Sequence, residues 1–271
     1  MSKPDILKSN DQFIALSTFV CSAIPDSEVF DKDGIAVRWA CSDLIFFNTL
    51  YLSEGIADAD ALRQRLRTGA TYMRAKAQPG LFLLCEDYVA DAARSDLEAA
   101  IADAGLVPVL DTIGMTGELL PFARATEHHG LHFERVGSEQ ALSHFAAVNE
   151  AAYGAVPDSY FPAFRQSMPL WTERSHSYIA YRQGKPVSTA SVIESDGELY
   201  LALVATRPEA QRLGFGEATV RHVLEVAHHA SGLRQTSLHA TQAGFPVYQR
   251  MGYRQVTRIL GYSLSEPAAE H

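Results

Sequence analysis

Cysteine is scarce: Cys21, Cys41 and Cys85 are the only three in 271 residues, all in the first third of the chain and none at metal-ligand spacing. Scattered thiols of this kind are expected to be reduced, buried small side chains, which excludes a disulfide frame and points to a cytoplasmic setting. No apolar run approaches the roughly 20 residues that a membrane helix needs. Met1-Ser2-Lys3-Pro4-Asp5 lacks the basic-then-apolar layout of a signal peptide. Positive charge is also in short supply: 23 Lys and Arg against 32 Asp and Glu leave a net charge of −9, nearly all of it on residues 1–130. So acidic a chain is a poor partner for nucleic acid. The run G-x-x-x-x-G-K-[ST] is missing too, and with it the nucleoside-triphosphate loop.

A hydrophobic fraction of 47% and a charged fraction of 20% suit a globular protein with a real core, in two ordinary domains or one large one. The most informative stretch is Gln211-Arg212-Leu213-Gly214-Phe215-Gly216. It follows the apolar run Leu199 to Thr206 and precedes an amphipathic segment reaching about Ser231, so it reads as strand, tight loop, helix. Unsatisfied amides and the positive end of the helix dipole then converge on one point, which suits a diphosphate. Gly214 and Gly216 let the backbone come close to the anion. A dinucleotide fold would want G-x-G-x-x-G/A; Gly214-Phe215-Gly216-Glu217-Ala218-Thr219 has Thr in third place, and the strand Thr236 to Ala240 ends without the acidic residue that binds a ribose.

Val204 to Gly216 (VATRPEAQRLGFG) resembles the acyl-CoA loop of the GNAT superfamily of CoA-dependent N-acyltransferases, written [RQ]-x-x-G-x-[GA] and usually with Pro three residues before the Arg or Gln. Ala243 to Tyr253 (AGFPVYQRMGY) is similar to that family's next motif, a helix carrying Tyr followed four residues later by Gly-aromatic. The resemblance covers roughly Leu131 to Ser263. It implies an α/β fold, a mixed central sheet flanked by helices, and transfer of an acetyl group from acetyl-CoA to an amine by direct attack in a ternary complex. It further implies that the pantetheine arm lies along Val204, Ala205 and Thr206, where a backbone amide polarises the thioester. Gln211, Arg212, Leu213, Gly214, Phe215, Gly216 and Glu217 would hold the diphosphate, and Tyr248 would protonate the departing thiolate. Core packing is the alternative for Tyr248. The Asn common seven residues before that Tyr is Thr241 here.

The base is less legible. By register from the loop, the carboxylate of histone-type members falls on Tyr200. Glu198, two residues earlier on the same strand face, is the candidate, to act directly or through a water, although a charge at a strand start is ordinarily just solvated. Glu150 and His176 are further candidates. The runner-up function is a CoA-binding or interaction module that no longer transfers. His128 and His132, and the pair His228-His229, have no Cys or carboxylate at ligand spacing, so no metal site is expected. The aromatics Tyr160, Phe161, Phe164 and Trp171 would either wall the acceptor site or pack a domain interface. The acceptor's identity is open, as is whether the chain pairs as a homodimer.

Periodicity predicts a helix over 5–23, paired strands over 34–40 and 44–52, a helix over 57–76, a strand over 81–85, a helix over 91–104 and a strand over 106–115. The patternless stretch 120–131 is the expected boundary between domains 1–130 and 131–271. Beyond it come a strand at 132–136, a helix from Ser138 to Tyr153, a loop-rich segment to His176, and strands at 177–182, 186–194 and 199–206. The helix after the glycine loop, a strand at 235–240, a helix at 244–251 and strand material at 253–263 complete the order; a disordered tail is expected from Glu266. The first half looks like a partial echo of the second, Gly105 and Gly114 matching Gly252 and Gly261 in spacing. A degenerate tandem copy would explain this, and so would coincidence.

Overall fold

The computed structural model describes residues 3–118 and 130–265. The expected boundary at 120–131 and the expected tail from Glu266 therefore fall mostly outside the described residues, as does His128. Two compact units emerge, Met1–Gly114 with Val256–His271, and Met115–Gln255.

The first unit opens with helix α1 (Lys3–Cys21) and the strands β1 (Glu28–Lys32), β2 (Ile35–Trp39) and β3 (Asn48–Leu52). β1 was not expected: three of its five residues, Glu28, Asp31 and Lys32, are charged, and it lies at the sheet edge, where the hydrophobic signal is weak. The predicted strand over 44–52 begins only at Asn48, because Ile45–Phe47 form a 3-10 turn. Helix α2 (Ala59–Arg74) follows, with Leu62, Leu66, Ala70 and Met73 buried at helical spacing. Then come β4 (Leu81–Cys85), α3 (Asp91–Arg94), α4 (Leu97–Asp103) and the start of β5 (Leu106–Glu118). The single helix expected over 91–104 is thus two short ones, broken at Ser95-Asp96. The last strand of the chain, β11 (Arg254–Leu264), belongs to this unit from Val256 onward and lies between β4 and β5. β1, β2 and β3 pair antiparallel, β3 and β4 parallel, β4 and β11 antiparallel. Every residue of β2, β3 and β4 is buried, and Trp39, Tyr51 and Phe82 centre the core.

In the second unit, β6 (Leu131–Arg135) leads into α5 (Glu139–Tyr153). The Ser138 hydroxyl accepts from the Ala141 amide at 3.1 Å and Gly154 ends the helix at φ 65°, the start and stop signals read from sequence. The segment expected as loop contains α6 (Phe161–Gln166) and α7 (Met168–Thr172). Each is a single turn or so with Pro in its first turn, too short to show a period. Strands β7 (His176–Arg182), β8 (Lys185–Ser195) and β9 (Glu198–Thr206) form an antiparallel meander with β6; α8 (Phe215–Ser231) crosses to β10 (Gln235–Thr241), which pairs parallel to β9, and α9 (Phe245–Arg250) closes the unit. Thr189 meets Asn149 of α5, whereas Tyr178, paired with Ala190, meets His222 of α8. Successive strand residues point to opposite faces, so α5 and α8 cover opposite faces of the sheet.

Candidate active site

The site is built where β9 stops pairing with β10. The parallel register runs Leu199 to Thr236, Tyr200 to Ser237 and Leu201 to Leu238, and ends there. Immediately beyond, β9 bulges: Ser191 faces Ala202 and Thr189 faces Ala205, so Leu203 and Val204 together oppose Ala190. Leu203 takes φ 50°, a left-handed conformation that costs a branched side chain about 1–3 kcal/mol unless its surroundings hold it. The pairing with β10 is not continued past Leu201, although β9 runs on to Thr206 and β10 to Thr241.

Three side chains tie down the carbonyls along this end of β9. The Tyr153 hydroxyl donates to Val204 O at 3.1 Å, the Ser188 hydroxyl to Ala205 O at 2.7 Å, and Gln211 Nε2 to Thr206 O at 3.2 Å. Gln211 thereby fastens the start of the glycine loop to the end of β9. The loop itself makes a 3-10 turn at Pro208–Ala210, passes Arg212 at φ 61° and reaches Gly214 at φ 79°. Gly214 is the N-cap of α8 and no side chain caps that end; the first amide bonded back is that of Ala218, to Gly214 O at 3.0 Å. The amides of Phe215, Gly216 and Glu217 are left for a ligand by helix geometry. A Cβ on Gly216 would stand 2.9 Å from the Thr206 hydroxyl oxygen, so glycine lets the helix start hard against the strand end. Glu217 turns its carboxylate along the helix to Arg221 (2.7 and 2.9 Å). Leu213 is exposed and Phe215 buried, with the Arg182 guanidinium over its ring at 5.1 Å.

Tyr248 is buried on α9, its ring edge-on to Tyr253 at 5.8 Å between centroids. Burial pushes its pKa up, and the nearby Tyr153 and Tyr253 add to the shift. The Thr241 hydroxyl is spent on the turn into α9, accepting from the Gly244 amide at 3.2 Å.

Glu198 sits elsewhere. It is buried at the first position of β9, opposite Ser195. It stands three positions before Leu201, where the pairing ends, roughly 10 Å at about 3.3 Å per residue. Between them, Tyr200 holds its hydroxyl 2.7 Å from Nδ1 of His239, the first β10 residue beyond the paired stretch. Burial lowers the pKa of His239, so the imidazole is neutral at ordinary pH. The Glu150 carboxylate accepts from the Asp158 and Tyr160 amides at 3.1 and 2.7 Å and shapes the turn after α5; His176 lies 3.5 Å from Glu194. Phe164 and Trp171 are fully buried in the second unit, Phe164 packed edge-on to Phe145 and Trp171. Both rings therefore pack into the core of this unit. Among the described residues no group of three His, Cys, Asp or Glu is arranged to hold a metal.

Sequence reasoning missed Tyr153, Thr189, Asn149 and His239 as neighbours of the site. Tyr153 and Asn149 show in sequence only as members of a helix face, and His239 only by alternation along a strand.

Residues 137–260 match the family model of the acetyltransferase (GNAT) domain. Solved structures similar over nearly the whole chain include a GCN5-related N-acetyltransferase of Kribbella flavida, at 16% identity and TM-score 0.65, covering 94% of this chain and 96% of that one. A GCN5-related N-acetyltransferase of Sphaerobacter thermophilus aligns at 17% identity and TM-score 0.58, over 85% of this chain and 76% of that one. A tandem GNAT protein from the clavulanic acid biosynthesis pathway aligns at 12% identity and TM-score 0.56, over 96% of both chains. No curated protein sequence matches the chain. The fold is thus that of solved GNAT structures, and residues 137–260 are similar to the family's acetyltransferase domain. The chain carries a GNAT domain over residues 137–260, in a mixed α/β architecture shared with tandem GNAT proteins.

Proposed function

We propose that this protein transfers the acetyl group of acetyl-CoA to an amine by direct attack in a ternary complex. One observation carries the reading: the uncapped start of α8, with Gly214 at φ 79°, follows directly on the bulged end of β9 where that strand leaves β10. The amides of Phe215, Gly216 and Glu217, with the loop from Gln211 through Leu213, hold the diphosphate; each charge-assisted bond contributes roughly 1.5–3 kcal/mol. The pantetheine arm lies along Val204–Thr206, and a backbone amide there stabilises the oxyanion that forms when the amine attacks. The C–N bond forms, the C–S bond breaks, and Tyr248 gives its proton to the departing sulfur. The amine's proton leaves toward Glu198, which shares a face of β9 with Tyr200, directly or through water. A cytoplasmic setting suits the three free cysteines.

A second reading, a CoA-binding module without transfer, is favoured by Tyr200 standing where a carboxylate base would be. Gly214→Asp tests the cofactor site common to both readings. It puts a carboxylate among phosphate oxygens, and calorimetry with acetyl-CoA should show binding lost while the cooperative thermal transition stays. Undiminished affinity in the folded variant sinks the loop assignment. Thiol release from acetyl-CoA across a panel of amines then separates transferase from module.

A further inference from the structure

The residue at φ 50° in β9 is held by a buried polar chain that reaches it from α5. Asn149 Nδ2 donates to Phe145 O at 2.9 Å and to Thr189 Oγ1 at 3.1 Å. Phe145 O can only accept, so the amide's NH2 must face it, and Thr189 Oγ1 receives its hydrogen bond from the same nitrogen. The single hydroxyl proton of Thr189 is therefore free to go one way, to Leu203 O at 3.2 Å. Asn149 and Thr189 are both wholly buried, and Asn149 Oδ1 has no partner among the described residues. The side chain leaves an acceptor unsatisfied and is used for its donors. The peptide joining Leu203 to Val204 is planar and trans, so its N–H points opposite to its C=O. Fixing Leu203 O toward β8 fixes the Val204 N–H on the other side, where β10 no longer pairs.

We propose that Thr189, oriented by Asn149, is a positioning residue for the oxyanion-stabilising amide of Val204, acting through the Leu203 carbonyl. This rests on the acetyl-CoA reading above. The chain sets the direction of a donor that must meet a thioester carbonyl within a few tenths of an ångström, in a segment that no neighbouring strand holds on that side. Its register matters more than its contribution to packing.

The test reads the carbonyl itself. Acetyl-CoA labelled with ¹³C at the thioester carbon is bound to the full chain and its C=O stretch is recorded by infrared difference spectroscopy, with affinity measured by calorimetry. In the unaltered protein the stretch should fall relative to free acetyl-CoA. In Thr189→Val, which keeps shape and loses the hydroxyl, most of that shift should vanish with the dissociation constant changed less than about threefold. Thr189→Ser should restore it. With an amine that turns over, kcat of the Val variant should fall about 10-fold or more, since losing an oxyanion donor outright costs roughly 10²–10³-fold, while KM for acetyl-CoA holds. Should Thr189→Val not fold, Asn149→Ala, which frees the hydroxyl to rotate, should show a reduced shift. Equal shifts in the unaltered protein and in whichever variant folds overturn the inference and leave the transferase reading standing. Failure of acetyl-CoA to bind the unaltered protein overturns both.

Discussion

Tyr248 presents a hydroxyl that has no hydrogen bond among the described residues, on a ring held by Tyr253 and by the close backbone at Gly244. A raised pKa keeps it protonated through the working range, so it can only give a proton, which is what a leaving thiolate requires. Tyr248→Phe keeps the ring and removes the donor. It should lower kcat at the small end of the roughly 10²–10⁴-fold range for general acids, because a thiolate leaves readily, with acetyl-CoA affinity nearly intact. No alkaline loss of rate between pH 7 and 9 should trace to this group. Full kcat in the Phe variant, with chemistry shown to be rate-limiting, would reassign Tyr248 to packing. At this scale the sequence shows the residues whose role is local. Gly214 is demanded by its own φ, and Tyr248 stands at a fixed distance from Gly252. The Thr189 chain and the Tyr200–His239 pair are invisible in it, since their partners are 14 to 40 residues apart and nothing local records the meeting.

The elements repeat, and the repeat differs where it matters. Both units contain a parallel strand–helix–strand: β3, α2 and β4 in the first, β9, α8 and β10 in the second. At the start of α2 the Asp58 carboxylate accepts from the Ala61 amide at 2.8 Å, and Asp60 adds a second negative charge in the first turn. An anion arriving there meets carboxylates instead of bare amides. The strands are also closed: past β3 and β4 the pairing resumes with a parallel bridge from Ile56 to Val89, bonded through Ile56 N to Tyr88 O at 2.7 Å and Ala90 N to Ile56 O at 3.0 Å. No gap is left for a pantetheine arm to line. Calorimetric titration with acetyl-CoA should therefore give one molecule per chain, abolished by Gly214→Asp. Asp58→Gly, which uncaps α2, should not raise the number, because the strands remain joined. A second bound molecule in either protein refutes this account of the first unit. Helices ended by a Gly were legible, as α5 and α8 show, and α5 carries a capping Ser138 as well. β1, α6 and α7 were not, for they are too short or too polar to carry a period.

At the scale of the whole chain, the first unit is completed by the last strand made. From Val256 on, β11 lies between β4 and β5, with Val256, Ile259 and Tyr262 buried. Arg258 grips Asp111 through two bonds of 2.9 and 2.8 Å, Thr257 donates to Asp87 at 2.7 Å, and the Thr112 hydroxyl bonds Ile259 O at 3.1 Å. Gly261 is packed so closely on Leu110 that a Cβ would stand 2.7 Å from that side chain's own. No sequence period announces this, because an apolar strand does not say which neighbours, over a hundred residues away, it will join. The energetic consequence is large. Three buried apolar side chains at roughly 1.5–3 kcal/mol each, and two strand edges left without partners, rival the roughly 5–15 kcal/mol that holds a whole domain. A chain ended at Gln255 keeps all of β1–β4 yet should lose the cooperative unfolding of its first unit. Hydrogen exchange read by mass spectrometry should show β3 and β4 amides exchanging within seconds instead of being protected in the full chain. Retained protection there would mean that β1–β4 with α1 and α2 suffice for the fold, and that β11 is an addition to this sheet and not its centre.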